Sequence, residues 1–123
     1  MRRQTAVLAA GALALVPLTA TAAGAPNPAP ARLQVSADEF TFALSRSSIR
    51  AGPVIVQLVD FGEDDHDLAL RRIGGKRTYR TGVVRPGNTG ELEARLQPGR
   101  YVLWCTLADH RSRGMRAAFV VKR

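Results

Sequence analysis

The sequence predicts an all-β sandwich of about seven to eight strands, and three observations predict it. Short apolar segments follow one another from Leu33 onward, separated by Gly52-Pro53, Gly74-Gly75, Pro86-Gly87 and Pro98-Gly99. The segment "TGELEARL" alternates with a period of two. After the N-terminal region no amphipathic window at helical spacing competes with these strands. The expected arrangement is an antiparallel, Greek-key sandwich.

In chain order the expected strands are "LQVSADEFTFAL", "SIRAGPVIVQLVDFG", "HDLALRR", "YRTGVV", "TGELEARL", "RYVLWC" and "MRAAFVV". In "TGELEARL", Leu92, Ala94 and Leu96 share one face and Glu91, Glu93 and Arg95 the other, so that strand has one wet face. Tyr101 follows the turn in "LQPGRY". It is placed either as a tyrosine corner, its hydroxyl bonding back to the backbone across a Greek-key connection, or as an ordinary core aromatic. There is no internal repeat.

The N-terminal segment, residues 1–25, has Arg2 and Arg3, an apolar run from Ala6 to Leu18, and an Ala20-Thr21-Ala22 cleavage pattern. This is the layout of a secretory signal peptide. The run is too short to span a bilayer comfortably, contains Pro17, and is followed by no cysteine suited to a lipid anchor. The expectation is an exported protein, periplasmic or extracellular, without a stable membrane anchor. A Pro- and Ala-rich linker follows at 26–32, and a single domain occupies 33–123. The twin arginines leave the export route open.

At 123 residues and 46% hydrophobic content, the chain has enough apolar residues for one core and not two domains. The formal net charge is +8, and removal of Arg2 and Arg3 with the signal leaves +6. Basic residues cluster at Arg71, Arg72, Lys76, Arg77 and Arg80, and again at Arg111, Arg113 and Arg116. Export argues against nucleic acid as the partner of this charge, leaving an anionic partner or a solvated basic surface.

"WCTLADHRSRGM" holds the chain's single cysteine, Cys105, together with His110 and Met115 at equal spacing. An unpaired thiol in an oxidising compartment calls for burial, ligation or pairing between chains. The remaining imidazole, His66, follows "FGEDD". Taken singly, a histidine is usually a surface or structural residue, a buried cysteine inert, and a methionine a gap filler. Taken together, two imidazoles, a thiolate and a distant thioether are the donor set of a blue copper site. A strand-loop-strand unit presents Cys105, His110 and Met115 to one point, and sandwich loops that cluster at one end bring His66 to them.

"PGRYVLWCTLADHRSRGM" resembles the cupredoxin family, the type 1 blue copper proteins, in its Gly-x-Tyr-x-x-x-Cys strand and Cys-x4-His-x4-Met loop, the loop length of the rusticyanin and auracyanin branches. "ADEFTFALSRSSIRAGPVIVQLVDFGEDDHDL" is similar to the family's first strands up to the first ligand. The resemblance covers Leu33 to Lys122. It implies a cupredoxin-like sandwich binding one copper per chain. His66, Cys105 and His110 would be the equatorial ligands and Met115 the axial one. A single cysteine excludes the dinuclear copper centre of oxidases.

The chain departs from the family pattern at Asp67, where Asn is usual. The resemblance implies that its backbone N–H donates to the Cys105 sulfur and that its side chain reaches Thr106. Arg111 and Arg113 stand where many relatives have a flat apolar patch, so both an acidic and an apolar docking partner remain open. Trp104, pointing away from the core face by alternation, is either a half-buried packing residue or, as in the plastocyanin branch, a second route for electrons. "FGEDDHD" lacks the ligand spacing of a calcium loop and reads as a solvated acidic loop.

A closed four-donor site leaves no position for substrate. The leading expectation is therefore not an enzyme but a monomeric one-electron carrier between redox protein partners. Copper handling or storage uses the same ligands. A metal-free interaction domain on the same sandwich is the third reading.

Overall fold

The computed structural model describes Gly11 and residues 15–123, so most of the expected signal peptide lies outside the described residues. Among the described residues nine strands form two sheets. They are β1 (Ala31–Asp38), β2 (Thr41–Leu44), β3 (Ser48–Arg50), β4 (Gly52–Asp60), β5 (Ala69–Arg72), β6 (Thr78–Arg80), β7 (Thr89–Leu96), β8 (Gly99–Trp104) and β9 (Arg116–Lys122). Their number exceeds the expectation because both leading apolar segments are divided. The first turns at Glu39 and Phe40, between β1 and β2, and the second changes sheets at Ala51.

The four-stranded sheet runs β2-β1-β4-β7 and the five-stranded sheet β3-β9-β8-β5-β6. The all-β sandwich is as expected, and the expected antiparallel pairing is corrected at two places. β1 pairs with β4 in parallel, Leu33 opposite Val56, and β3 pairs with β9 in parallel, Ile49 opposite Val121. Both parallel pairs involve the two strands that flank the crossing at Ala51. A chain that leaves one sheet at Arg50 and enters the other at Gly52 cannot fold back on itself as a hairpin. Gly52 makes this corner with φ of +110°, a conformation that disfavours residues bearing a Cβ. The Ala51 N–H donates to the Lys122 carbonyl at 2.7 Å, fastening the corner to the last strand. β1 begins at Ala31, two residues inside the expected linker, and Arg50 bonds to the Ala29 carbonyl at 3.0 Å.

Between the sheets lie Leu33, Val35, Val56 and Leu58 from one side and Leu70, Leu103, Phe119 and Val121 from the other. Each fully buried aliphatic or aromatic side chain contributes about 1.5–3 kcal/mol. In β7 the wet and dry faces fall as expected, with Leu92 and Leu96 buried and Glu91, Glu93 and Arg95 exposed. Tyr101 fills both roles left open for it. Its ring stacks on Phe119 at 5.6 Å, and its hydroxyl donates to the Gln97 carbonyl at 3.0 Å across the β7–β8 turn. Tyr101→Phe should therefore cost about 1 kcal/mol in urea unfolding, the usual net worth of such a bond.

Asp60, at the end of β4, is wholly buried. Its Oδ1 accepts the Gly62 N–H at 2.8 Å, while Oδ2 has no partner. Burial pushes this carboxyl above its ordinary 3.8, partly offset by the Gly62 bond. The stability conferred by a raised carboxyl is complete below the unfolded value and is lost as pH rises through the folded one. Asp60→Asn does not titrate, so its Tm should gain on the wild type as pH climbs from about 4 to about 7. A constant Tm difference over that range would contradict the burial argument.

Candidate metal centre

The candidate ligands come from two connections at one end of the sandwich. β8 stops at Trp104, so Cys105 lies just past the strand and heads the loop to β9. That loop is held by its own backbone. His110 N–H bonds to Leu107 O at 3.1 Å, Met115 N–H to His110 O at 3.1 Å, and Cys105 N–H to Met115 O at 3.1 Å. The last bond closes the loop on its own stem. Gly114 permits the return with φ of +124°, and a Cβ there would stand 3.0 Å from the Phe40 carbonyl. His66 lies three residues before β5, in a two-residue bridge with Val84, the pair exchanging N–H···O bonds of 2.9 and 2.7 Å.

Ligand atoms of His66, Cys105 and His110 all fall within 4.8 Å of one another, and all three residues are buried. Cys105 Sγ stands 3.5 Å from His110 Nδ1, and the two imidazole centroids are 5.0 Å apart. Three donors about 2.0–2.3 Å from a common centre in one plane lie ~3.5–4 Å from each other, the spacing found for the Cys105–His110 pair. His66 Nδ1 is buried without a partner. An unpartnered buried nitrogen costs roughly 1–3 kcal/mol, so this orphan beside a thiol and a second imidazole fits a metal ion. Met115 is fully buried at the end of the same loop, next to its two backbone partners.

Burial pushes the Cys105 thiol above its usual value. The backbone N–H groups of Asp67 and Leu107, aimed at the sulfur, work in the opposite direction. Asp67 is tied in place by Thr106: Thr106 N–H donates to its Oδ1 at 2.6 Å and the Thr106 hydroxyl donates to Oδ2. This clamp joins the His66 connection to the Cys105 loop. The Asp67 carboxylate, while accepting from Thr106, also acts on the thiol, its charge and a side-chain hydrogen bond adding to the upward push on Cys105.

Two contributors to the site have no local signature in the sequence. Glu39, in the β1–β2 turn, accepts from His66 Nε2 at 3.1 Å and from the Glu63 and Asp64 N–H groups at 2.8 Å each. These bonds, the Asp64 N–H first, lower its pKa from 4.5 to about 2, so the carboxylate is anionic beside the imidazole. It fixes the proton on Nε2 and leaves Nδ1 free to ligate, the usual task of a carboxylate behind a metal-binding histidine. Phe40 covers His110 at 4.9 Å, and the Arg113 guanidinium lies 3.8 Å from the Phe40 ring centroid. The only available hint was the interruption of apolar alternation by Asp38-Glu39.

Asp64, in the acidic loop, approaches His110 Nε2 at 3.8 Å. Trp104 points away from the core as expected, yet it is only 9% exposed, which corrects the half-buried reading. Arg71 and Arg111 lie over its ring at 5.6 and 4.7 Å and cover it.

No protein-family model matches the sequence, and no curated protein matches it. Solved structures do match in fold. Dithionite-reduced auracyanin from the photosynthetic bacterium Roseiflexus castenholzii aligns at 15% identity with a TM-score of 0.61, covering 75% of this chain and 97% of that one. Auracyanin A, a "blue" copper protein from Chloroflexus aurantiacus, aligns at 15% identity and 0.62, covering 76% and 100%. Auracyanin B aligns at 19% identity and 0.60, covering 80% and 94%. The chain has the cupredoxin fold. Glu39→Gln removes the anion behind His66 and should weaken metal binding at this site by about 10-fold, at the low end for such outer partners, in competition with a chromophoric chelator.

Proposed function

We propose that the chain is an exported type 1 copper protein that carries single electrons between redox protein partners. His66, Cys105 and His110 would hold one copper through two imidazoles and a thiolate, and Met115 would add a weak thioether donor. The observation that carries this reading is the orphaned, buried Nδ1 of His66, an imidazole that offers a ligand atom within 4.8 Å of those of Cys105 and His110. Bound copper would supply a one-electron Cu(II)/Cu(I) couple.

The chain's own part is to hold the donors still and dry. Glu39 sets the His66 tautomer, and the Asp67–Thr106 clamp fixes the spacing between the two connections. The Asp67 and Leu107 N–H groups stabilise negative charge on the Cys105 sulfur. Cys105 and His66 are wholly shielded and His110 is 7% exposed, so water has little access to the donors. A donor set fixed by backbone bonds changes little between oxidation states, which favours electron transfer over reactions needing an open coordination position.

The N-terminal arginines, apolar run and small-residue pattern support export. Among the described residues no helix is long and apolar enough to cross a membrane.

Copper loading should give a blue or green protein with an intense visible thiolate-to-copper band, and Cys105→Ser should lose that band while remaining a folded sandwich. A colourless Cu(II)-treated protein with a titratable thiol would overturn the assignment. Met115→Leu should keep the band and raise the reduction potential in voltammetry, because loss of a weak donor disfavours Cu(II) more than Cu(I). Rapid stopped-flow reduction without copper transfer to an acceptor separates electron carriage from copper handling.

A further inference from the structure

The two sheets differ in charge. The strands of the five-stranded sheet carry Arg50, Arg71, Arg72, Arg80, Arg100, Arg116 and Lys122, and no acidic residue. The four-stranded sheet carries Asp38, Asp60, Glu91 and Glu93 against Arg32 and Arg95. Strand alternation sets Arg71, Arg100, Arg116 and Lys122 on the outer face of the five-stranded sheet, opposite Leu70, Tyr101, Leu103, Phe119 and Val121, which face the core. Among the described residues the ion pairs involve only histidines, so no carboxylate within the chain neutralises these cations.

Trp104 also belongs to this face. With Val102, Arg111, Arg116 and Ala118 it lines a groove of about 310 Å³. Arg71 and Arg111 reach its ring from the β5 side and from the ligand loop. The groove is thus an apolar floor ringed by unpaired guanidinium groups, one peptide bond from Cys105. We infer that this outer face, centred on Trp104, Arg111 and Arg116, docks the acidic surface of a redox protein partner.

The inference rests on the proposed electron-carrier function for the nature of the partner. Complementary charge steers encounter and fixes orientation, and a face of one sign with no internal counter-ions is built for an opposite one. A protein partner fits better than an anionic lipid surface. Membrane binding at an interface draws on aromatic or long apolar side chains that insert, whereas Trp104 is recessed beneath arginines and the site is concave. Arg113 belongs to another side of the loop, where it lies over Phe40, which in turn packs on His110, and so provides an internal control.

The test is an NMR titration of the isotope-labelled, Cu(I)-loaded chain with a small c-type cytochrome whose lysines have been succinylated, with the same cytochrome unmodified, and with phosphatidylglycerol vesicles. The succinylated form should shift the Trp104 indole N–H and amides of β5, β8 and β9 at an ionic strength of about 20 mM, and lose this effect at about 300 mM. Arg71→Glu with Arg116→Glu should weaken binding at least about tenfold, and Arg113→Glu should change it little.

The inference is overturned by shifts confined to the Phe40–His110 side, by equal binding of both cytochromes, or by binding only to phosphatidylglycerol vesicles. Failure to take up copper would count against the proposed function alone. The same titration on the chain as purified would then still decide the docking face.

Discussion

Bringing a thiol and two imidazoles into mutual contact inside a sandwich is unfavourable unless something engages them. Cys105 is driven toward its neutral form by burial, and the His66 Nδ1 lone pair is buried with no protein donor. The architecture at this end of the molecule enforces that contact. β8 delivers Cys105, the loop hydrogen-bonds back onto its own stem at Met115, and the Val84 bridge holds His66 opposite. Glu39 and the Asp67–Thr106 pair then remove the freedom that would let the donors relax apart. A chain that spends stability in this way is organised around a ligand for those atoms, and a soft, imidazole-accepting metal matches their chemistry.

The same sandwich separates two tasks by face. Its interior and one end hold the donor set, while the five-stranded sheet presents positive charge that the chain leaves unneutralised. Trp104 joins them, since its backbone leads directly into Cys105 and its ring lies under Arg71 and Arg111. The basic runs around Arg71 and Arg111 are far apart in sequence. They become one surface only because β5 and the loop leaving β8 are neighbours in the sheet.

The features visible in the sequence were those carried by local pattern. Period-two alternation and Gly-Pro breaks marked β7 and its wet face, the turn before Tyr101 marked the corner, and the spacing of Cys105, His110 and Met115 marked a strand-loop-strand unit. The parallel pairings were invisible because they involve the strands that flank the corner at Ala51–Gly52, where a continuous apolar segment changes sheets. Glu39 was missed for a related reason: it is 27 residues from His66 and meets it only when the β1–β2 turn folds over the acidic loop. The burial of Trp104 also escaped local reading, because alternation gives the direction of a side chain but not the arginines that close over it.

X-ray absorption at the copper edge, collected on the loaded chain in its oxidised and reduced forms, tests the preorganised donor set most directly. Two nitrogen scatterers and one short sulfur scatterer are expected in both states, with little change in distance on reduction, because Glu39, Asp67 and the loop's backbone bonds hold the ligands before the metal arrives. A copper shell without sulfur, or one that gains or loses a ligand on reduction, would contradict this.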